Sequence, residues 1–272
     1  MSRLVVACAQ LTSRENLQEN LRRCGELVAE AAARGAKLVV LPENFALLAP
    51  NEQAKFEVAE TLPGPIVAKL GELAQKHGVW IVGGGMPEKA ETEGKVYNTC
   101  VVVDASGKLV ASYRKIHLFD IDIPGAQGGA TFKESATVAQ GRAPAVVETP
   151  WGKLGLSVCY DLRFPELYRA EAAQGARMIV VPAAFTLHTG KDHWHVLLRA
   201  RAIENQVFVL APAQFGKHNE KRTTYGHSLI VDPWGIVIAE MSDREGVALA
   251  ELDFEHQDKL RREMPCGTHR RL

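Results

Sequence analysis

The sequence predicts an α/β protein with four layers, α-β-β-α, in which two mixed sheets pack face to face between outer helices. Strand-like runs are short, rich in β-branched residues and often apolar on both faces, which is typical of sheets covered on both sides. Helix-like segments alternate with some of these runs. The segments GAKLVVLPE (35–43) and GARMIVVPA (175–183) share one pattern, and each leads through a helix to another strand. This internal echo predicts two similar β-α-β halves, and therefore two sheets with helices outside them.

The individual elements follow from the spacing of apolar residues. A first helix is predicted over 16–33, because apolar residues from Leu17 to Ala31 recur at i, i+3 and i+4, and Thr12 with Glu15 predicts a capping box before it. Further helices are predicted at 65–77, 165–174 and 191–205. Strands are predicted at 4–10, 37–42, 79–83, 98–104, 109–115, 154–159, 178–184, 207–212, 228–231, 236–240 and 247–252. The segments DASG (104–107) and DPWG (232–235) predict hairpin turns.

The composition is typical of an ordinary soluble globular protein and does not favour a nucleic-acid or membrane protein. Among the 272 residues, Lys+Arg and Asp+Glu number 32 each, so the formal net charge is zero and no polyanion or membrane-surface partner is indicated. No linker or change in composition divides the chain, so we expect one domain over residues 1–272. The basic C-terminal stretch, about residues 255–272, is expected to be a frayed tail or an arm on a partner subunit.

Cysteine usage and the N-terminus indicate a cytoplasmic protein. The five cysteines are odd in number, widely scattered and contain no CxxC pair, so neither a disulfide framework nor a zinc knuckle is predicted. The segment MSRLVVACAQLTSRENL lacks the apolar length and the cleavage pattern of a signal peptide. No run reaches the ~18 apolar residues that a spanning helix needs.

Three predicted strands end on a potentially reactive side chain: Glu43 in VVLPEN, Lys115 in SYRKIH and Cys159 in LSVCYD. Strand ends in α/β folds commonly face one ligand crevice, so the three could meet. A carboxylate could take the thiol proton, a thiolate could attack a carbonyl carbon, and an ammonium could stabilise the oxyanion. Taken singly, each has a structural explanation. The cysteine could be a small buried hydrophobe, the glutamate a helix cap, and the lysine a solvated edge charge.

The residues around these three side chains carry a resemblance. LVVLPEN, YRKIHLFD and GLSVCYDLRFPELYR resemble the three signature segments of the nitrilase superfamily, the carbon–nitrogen hydrolases, and the likeness extends over nearly the whole chain. The resemblance implies that Glu43 is the general base, Lys115 stabilises the oxyanion and Cys159 is the acylated nucleophile. It also implies that Glu134, in TFKES, positions Lys115. The fold that it implies is the same four-layer sandwich, with no cofactor and at least a homodimer.

Within the superfamily, the chain is most similar to the Nit branch. The segments HLFDIDIPG and GKHNEKRTTYGHS favour enzymes that hydrolyse deaminated glutathione to 2-oxoglutarate and cysteinylglycine. An ω-amidase acting on α-ketoglutaramate or α-ketosuccinamate is the alternative within the branch. A non-catalytic Nit-like binding or scaffold protein is the alternative outside enzymes. The intact set of Glu43, Lys115, Glu134 and Cys159 argues against that last alternative.

A small amide substrate with an α-keto acid end needs a cation beside the nucleophile. Arg163 lies four residues after Cys159 near a predicted helix start, so we expect it to bind the substrate carboxylate. An ion pair of Arg163 with Asp161 or Glu166 is the alternative. The resemblance also implies that Phe185 and Thr189 line the substrate pocket and that the Tyr160 backbone N–H completes the oxyanion hole. A core aromatic ring and a loop hydroxyl are the alternatives for Phe185 and Thr189.

Other suggestive groups are predicted to have no such role. No metal site is expected from His188, Asp192, His193 and His195, because His193 and His195 at i,i+2 spacing lie on different faces of a helix. The segment GGGMPE does not match a dinucleotide-binding loop. A papain-like Cys–His pair would have to use His117 or His227, and no local motif supports it. Basic residues lack the aromatic interleaving of nucleic-acid surfaces.

Overall fold

The structure, a computed structural model, describes residues 2–123 and 130–271. Its strands are β1 (Arg3–Leu11), β2 (Leu38–Val40), β3 (Trp80–Lys89), β4 (Val96–Val103), β5 (Leu109–Arg114), β6 (Asp120–Ile123), β7 (Ala130–Lys133), β8 (Ala145–Thr149), β9 (Gly152–Leu156), β10 (Ala176–Val180), β11 (Phe208–Ala211), β12 (Ala213–Asn219), β13 (Arg222–Tyr225), β14 (Leu229–Val231), β15 (Val237–Glu240) and β16 (Gly246–Asp253). Its α-helices are α1 (Leu17–Ala33), α2 (Gln53–Val58), α3 (Pro65–His77), α4 (Pro165–Ala173), α5 (Leu187–Asn205) and α6 (Phe254–Glu263). Two 3-10 turns span Glu134–Ala136 and Cys159–Arg163.

Two large mixed sheets form the centre of the fold. The first has the order β13-β12-β1-β2-β3-β4-β5, with β16 antiparallel to β1, and the second has the order β15-β14-β11-β10-β9-β8. The parallel strands β2 and β3 are connected through α2 and α3, and the parallel strands β10 and β11 through α5, which confirms the two β-α-β halves. Strands β6 and β7 form a separate two-stranded ribbon that the sequence did not predict.

Side-chain alternation along the strands builds the four layers. On β1, Val6 and Cys8 pack in the core between the sheets, whereas Ala7 and Ala9 pack against the helical side. Because successive strand residues point to opposite faces, a strand that is apolar throughout must be covered twice. One side of the first sheet is covered by apolar residues of α1 and α3, and its other side meets residues of β9, β10 and β11. The predicted α-β-β-α sandwich is therefore confirmed.

Each predicted strand corresponds to an observed one, but two helix starts differ from the prediction. Helix α1 is capped by Asn16, whose side chain accepts from the Glu19 N–H at 3.0 Å, while the Thr12 hydroxyl donates to the Phe215 carbonyl. The predicted Thr12–Glu15 capping box is therefore wrong. Helix α5 begins four residues early because Thr186 caps it, accepting from Thr189 N–H.

Helix α6 covers the first part of the C-terminal segment that was expected to be a frayed tail or an arm on a partner subunit. Asp253 caps α6, and the Arg261 guanidinium donates to the carbonyls of Gln206 and Ala176. These bonds attach helix α6, residues 254–263, to the body of the same chain. None of the helices in the described ranges combines the length and the hydropathy that a membrane span requires.

Candidate active site

Glu43, Lys115 and Cys159 meet in one cavity, as the strand-end argument predicts. Glu43 lies three residues beyond β2, Lys115 directly follows β5, and Cys159 opens the 3-10 turn beyond β9. Glu134, which follows β7, lines the same cavity of about 230 Å³. At roughly 30 Å³ for each water molecule, this space fits a small organic ligand rather than one or two waters.

Lys115 is held between two carboxylates. Its Nζ lies 3.0 Å from Glu43 Oε1 and 2.9 Å from Glu134 Oε2, and its side chain is 2% exposed. Burial opposes the ammonium form, but Glu134 and Glu43 more than offset it and raise the pKa of Lys115 well above its usual value. For Glu134, burial is outweighed by Lys115 and by the Phe119 N–H, so its pKa is lowered. Lys115 is therefore a fixed, fully charged donor.

Asn98, on β4, joins the two carboxylates and was not predicted. Its Nδ2 donates to Glu43 Oε1 at 2.9 Å and to Glu134 Oε1 at 3.3 Å. Gly85 makes this contact possible, since a Cβ there would lie 2.6 Å from Asn98 Oδ1. The GGG run of the sequence therefore has a packing role beside Glu43.

Cys159 occupies a tight turn that presents its thiol to the cavity. Its backbone has φ +50°, in the region that non-glycine residues seldom adopt, and its N–H donates to the Pro182 carbonyl at 2.9 Å. Burial and the negative charge of Glu43 raise the pKa of the thiol well above its usual value, against the opposing charge of Lys115. The resting sulfur is thus a thiol that needs a base. Glu43 Oε2 is buried and has no hydrogen-bond partner within the described residues, so it is free to accept a proton.

The buried Asp161 side chain stabilises this turn through hydrogen bonds. The carboxylate accepts from the Tyr113 hydroxyl at 2.8 Å, the Val158 N–H at 2.8 Å, the His117 N–H at 3.0 Å and, at 2.7 Å, His117 Nδ1. The His117 ring stacks on Phe164, with centroids 3.8 Å apart. His117 is therefore committed to Asp161, which removes it as a papain-like partner for the thiol.

The predicted substrate-binding residues line the cavity walls. Arg163 lies with its guanidinium 5.4 Å from the Phe185 ring centroid and 5.7 Å from that of Tyr160. Within the described ranges it forms no ion pair with Asp161 or Glu166, and its Nη1 lies 3.2 Å from His193 Nδ1. Its charge is therefore available to a ligand.

Phe185 and Thr189 also border this space, and both are buried. The Phe185 ring packs on Trp194, and the Thr189 hydroxyl bonds that of Thr186 at 3.0 Å. The Tyr160 N–H lies in the first turn of a 3-10 helix, where N–H groups have no partner within the helix.

Three further cations line the cavity, and the sequence patterns did not single them out. They are Lys55, Lys133 and Arg222. Lys55 pairs with Glu52, which also borders the cavity. The signal for them was absent because they come from α2, β7 and β13, three elements that no pattern predicted.

His193 and His195 contact different residues on different sides of α5, as their spacing on the helix predicts. His193 contacts Arg163 at the cavity, whereas His195 Nε2 contacts Glu240 at 2.9 Å. Among the described residues, His195, His227 and Glu240 form one group whose ligand atoms lie within 4.8 Å of one another. Glu240 Oε1 accepts from both rings, so the cluster satisfies itself by hydrogen bonding. Cys8, Cys24 and Cys100 are fully buried core residues.

Comparisons with known proteins identify the family of this chain and match its architecture. Residues 5–262 match the carbon-nitrogen hydrolase family. The chain is 47% identical over 273 residues to the deaminated glutathione amidase of Synechocystis sp. (strain PCC 6803 / GT-S), with 99% of each chain covered. Among solved structures, the NitFhit protein of C. elegans gives a TM-score of 0.91 at 39% identity, covering 100% of this chain and 66% of that one. The Nit3 protein of Saccharomyces cerevisiae, a member of branch 10 of the nitrilase superfamily, gives 0.88 at 34% identity, covering 100% and 97%.

Proposed function

The chain belongs to the carbon–nitrogen hydrolase family, and from this premise we propose that it is an amidase that hydrolyses deaminated glutathione to 2-oxoglutarate and cysteinylglycine. The observation that carries the proposal is the buried set of Glu43, Lys115 and Cys159 in a cavity that Arg163 also lines. The substrate is inferred from the similarity to the amidase of Synechocystis, which extends over nearly the full length of both proteins.

In the proposed first half-reaction, Glu43 takes the proton of the Cys159 thiol through Oε2, the oxygen without a hydrogen-bond partner among the described residues. The thiolate attacks the amide carbon, and the oxyanion that forms is stabilised by the Lys115 ammonium and the Tyr160 N–H. Glu43 then gives its proton to the departing amine, so that cysteinylglycine leaves and a 2-oxoglutaryl thioester remains on Cys159.

In the second half-reaction, Glu43 activates a water molecule that attacks the thioester and releases 2-oxoglutarate. Glu134 acts on this reaction through Lys115, which it holds at 2.9 Å, so we assign it a positioning role. Arg163 binds the carboxylate of the α-keto acid end, and Phe185 and Thr189 shape the wall beside it. No step requires a cofactor.

The test compares kcat/KM for deaminated glutathione and α-ketoglutaramate, with cysteinylglycine, 2-oxoglutarate and ammonia measured as products. We expect equimolar cysteinylglycine and 2-oxoglutarate, a higher kcat/KM for deaminated glutathione, and loss of turnover in Cys159→Ala. A preference for α-ketoglutaramate with release of ammonia would reassign the enzyme as an ω-amidase. Binding without turnover of either compound would favour the scaffold alternative.

We also propose that the protein acts as a homodimer or higher homo-oligomer. Val196 and Ile203 on α5 are 66% and 43% exposed, and Trp234 and Ile236 beside them are 53% and 54% exposed. Gly235 packs on Ile203, which makes these side chains one apolar surface that a second copy could cover. Light scattering of Val196→Asp should show a smaller species than wild type. Val110→Asp, a matched exposed valine on β5, should not.

We place the enzyme in the cytoplasm. All five cysteines are free thiols, and such thiols persist in reducing compartments. Fractionation of cells that make the untagged protein tests this placement, and recovery from a secreted or membrane fraction would contradict it.

A further inference from the structure

Arg222 is a second arginine of the cavity, and one of its buried donors has no hydrogen-bond partner among the residues that the structure describes. It begins β13 and lines the same cavity as Cys159 and Arg163. Its Nε is buried with no hydrogen-bond partner in the described part of the chain, and no carboxylate there forms an ion pair with it. A buried guanidinium donor without an acceptor is unfavourable unless a ligand supplies one.

We propose that Arg222 binds the glycine carboxylate of the cysteinylglycine portion of the substrate, and so selects long amides over short ones. This inference rests on the proposed function. The proposed substrate carries two carboxylates, one on the α-keto acid and one on the terminal glycine, with the scissile amide between them. A cavity that binds both ends needs two cations on different walls.

The two arginines lie among different neighbours. Arg163 packs beside Tyr160 and Phe185, on the wall formed by the 3-10 turn that begins with Cys159. Arg222 lies 5.8 Å from the Phe132 ring centroid, on the wall formed by the β6–β7 ribbon. Because guanidinium groups bind carboxylates through paired N–H donors, each arginine could hold one end of a ligand that passes Cys159.

The other cations on the Arg222 side are less suited to this role. Lys55 is paired with Glu52, and Glu52 also accepts from the Thr137 hydroxyl at 2.9 Å. Burial works against ionisation of Glu52, but Lys55, Thr137 and then Arg222 lower its pKa, so it remains a carboxylate engaged with its own partners. Lys133 is an exposed side chain whose charge is screened by water.

The backbone that carries Arg222 is tied to the cavity. Strand β13 pairs with β12, and Thr224 forms a bridge with Thr186, the cap of α5. The Tyr225 N–H donates to the Phe185 carbonyl at 3.0 Å. The arginine is therefore presented from a fixed strand, which limits the entropy that its immobilisation by a ligand would cost.

The test uses two matched substrates, deaminated glutathione and the same compound with its glycine carboxylate replaced by a carboxamide. One charge-assisted contact of this kind predicts a kcat/KM preference of about ten- to a hundredfold for the acid in wild type. In Arg222→Gln the preference should fall to near one, mainly through loss on the acid, with an intermediate value in Arg222→Lys. Lys221→Gln, an exposed neighbour outside the cavity, should keep the wild-type preference.

The outcomes separate this inference from the function on which it rests. A wild-type preference that persists in both Arg222 variants would overturn the role of Arg222 and leave the amidase proposal intact. Equal rates on the two substrates in wild type would do the same. If wild type hydrolyses neither substrate, the proposed function fails and the inference fails with it. Far-ultraviolet circular dichroism establishes whether each variant is folded. If Arg222→Gln does not fold, the preference between the two substrates in Arg222→Lys tests the role of Arg222.

Discussion

Two buried polar groups flank Cys159, and they differ in how fully their hydrogen bonds are used. In front of the thiol, Glu43 shares Oε1 with Lys115 and Asn98 but leaves Oε2 without a partner among the described residues. Behind it, both oxygens of Asp161 are engaged by donors from three residues. A buried acceptor left open is costly for stability and useful for proton transfer, whereas a saturated one stabilises the turn. The difference predicts that the front group serves chemistry and the back group serves structure.

Removing the carboxylate of Glu43, the group in front of the thiol, should have the strongest consequence for activity. Glu43→Gln keeps the shape of the side chain but removes the base, so kcat should fall about 10²- to 10⁴-fold. The free energy of unfolding should change little, because Lys115 retains Glu134. Steady-state kinetics and urea denaturation measure the two quantities, with the exposed Glu26→Gln as the control. A variant that keeps more than a tenth of wild-type kcat would end the assignment of Glu43 as base.

The matching substitution behind the thiol should act mainly on stability. Asp161→Asn replaces an oxygen acceptor by an amide donor that faces other donors, which should cost about 1–3 kcal/mol of unfolding free energy. Activity should fall less than in Glu43→Gln, because the turn loosens while the base remains. An Asp161→Asn variant that is as stable as wild type, or that loses more activity than Glu43→Gln, would contradict a structural role for Asp161.

A substitution at Gly84 should disturb the packing beside Glu43 and lower stability without changing any charge. In Gly84→Ala the new Cβ would lie 2.1 Å from the Leu41 carbonyl oxygen, beside the segment that carries Glu43. The strands must separate, at a cost of about 1–3 kcal/mol. Thermal or urea denaturation measures this cost. Gly267→Ala, where nothing lies within 4 Å of the added atom, is the matched control. Equal stabilities of the two variants would show that β3 has more room than its contacts indicate.

A weaker consequence is expected for the dependence of the unfolding free energy on pH. Because the pKa of Glu134 is lowered in the folded protein, its ionisation contributes stability above the usual value of 4.5, and this contribution is lost as the pH falls through the folded value. Glu134→Gln should therefore lose less stability than wild type on acidification below pH 4.5. Parallel curves of unfolding free energy against pH for the two proteins would show that the Lys115–Glu134 pair contributes nothing to acid stability.

The sequence predicted the parts of the site that sit at the ends of regular apolar strands. Glu43, Lys115 and Cys159 each follow such a run, so the fold alone brings them together. Glu134 was reached only through the family resemblance, because a 3-10 turn after a short ribbon leaves no periodic pattern. Asn98 lies 55 residues from Glu43 in the chain, and nothing local marks that contact.

Arg222 was missed for a related reason. It begins a four-residue strand, and its proposed role rests on a buried donor that has no partner among the described residues, which only the packed structure can reveal. The N-cap of α1 was predicted wrongly for a similar reason. Thr12 and Asn16 are both good capping residues, and the contact of Thr12 with Phe215, distant in the chain, decided between them.

The most direct measurement is rapid-quench mass spectrometry of the enzyme during turnover of deaminated glutathione. We expect a 2-oxoglutaryl group on Cys159 in wild type, formed together with free cysteinylglycine, and far slower acylation in Glu43→Gln. Turnover without any adduct on Cys159, or turnover that survives Cys159→Ala, would contradict it.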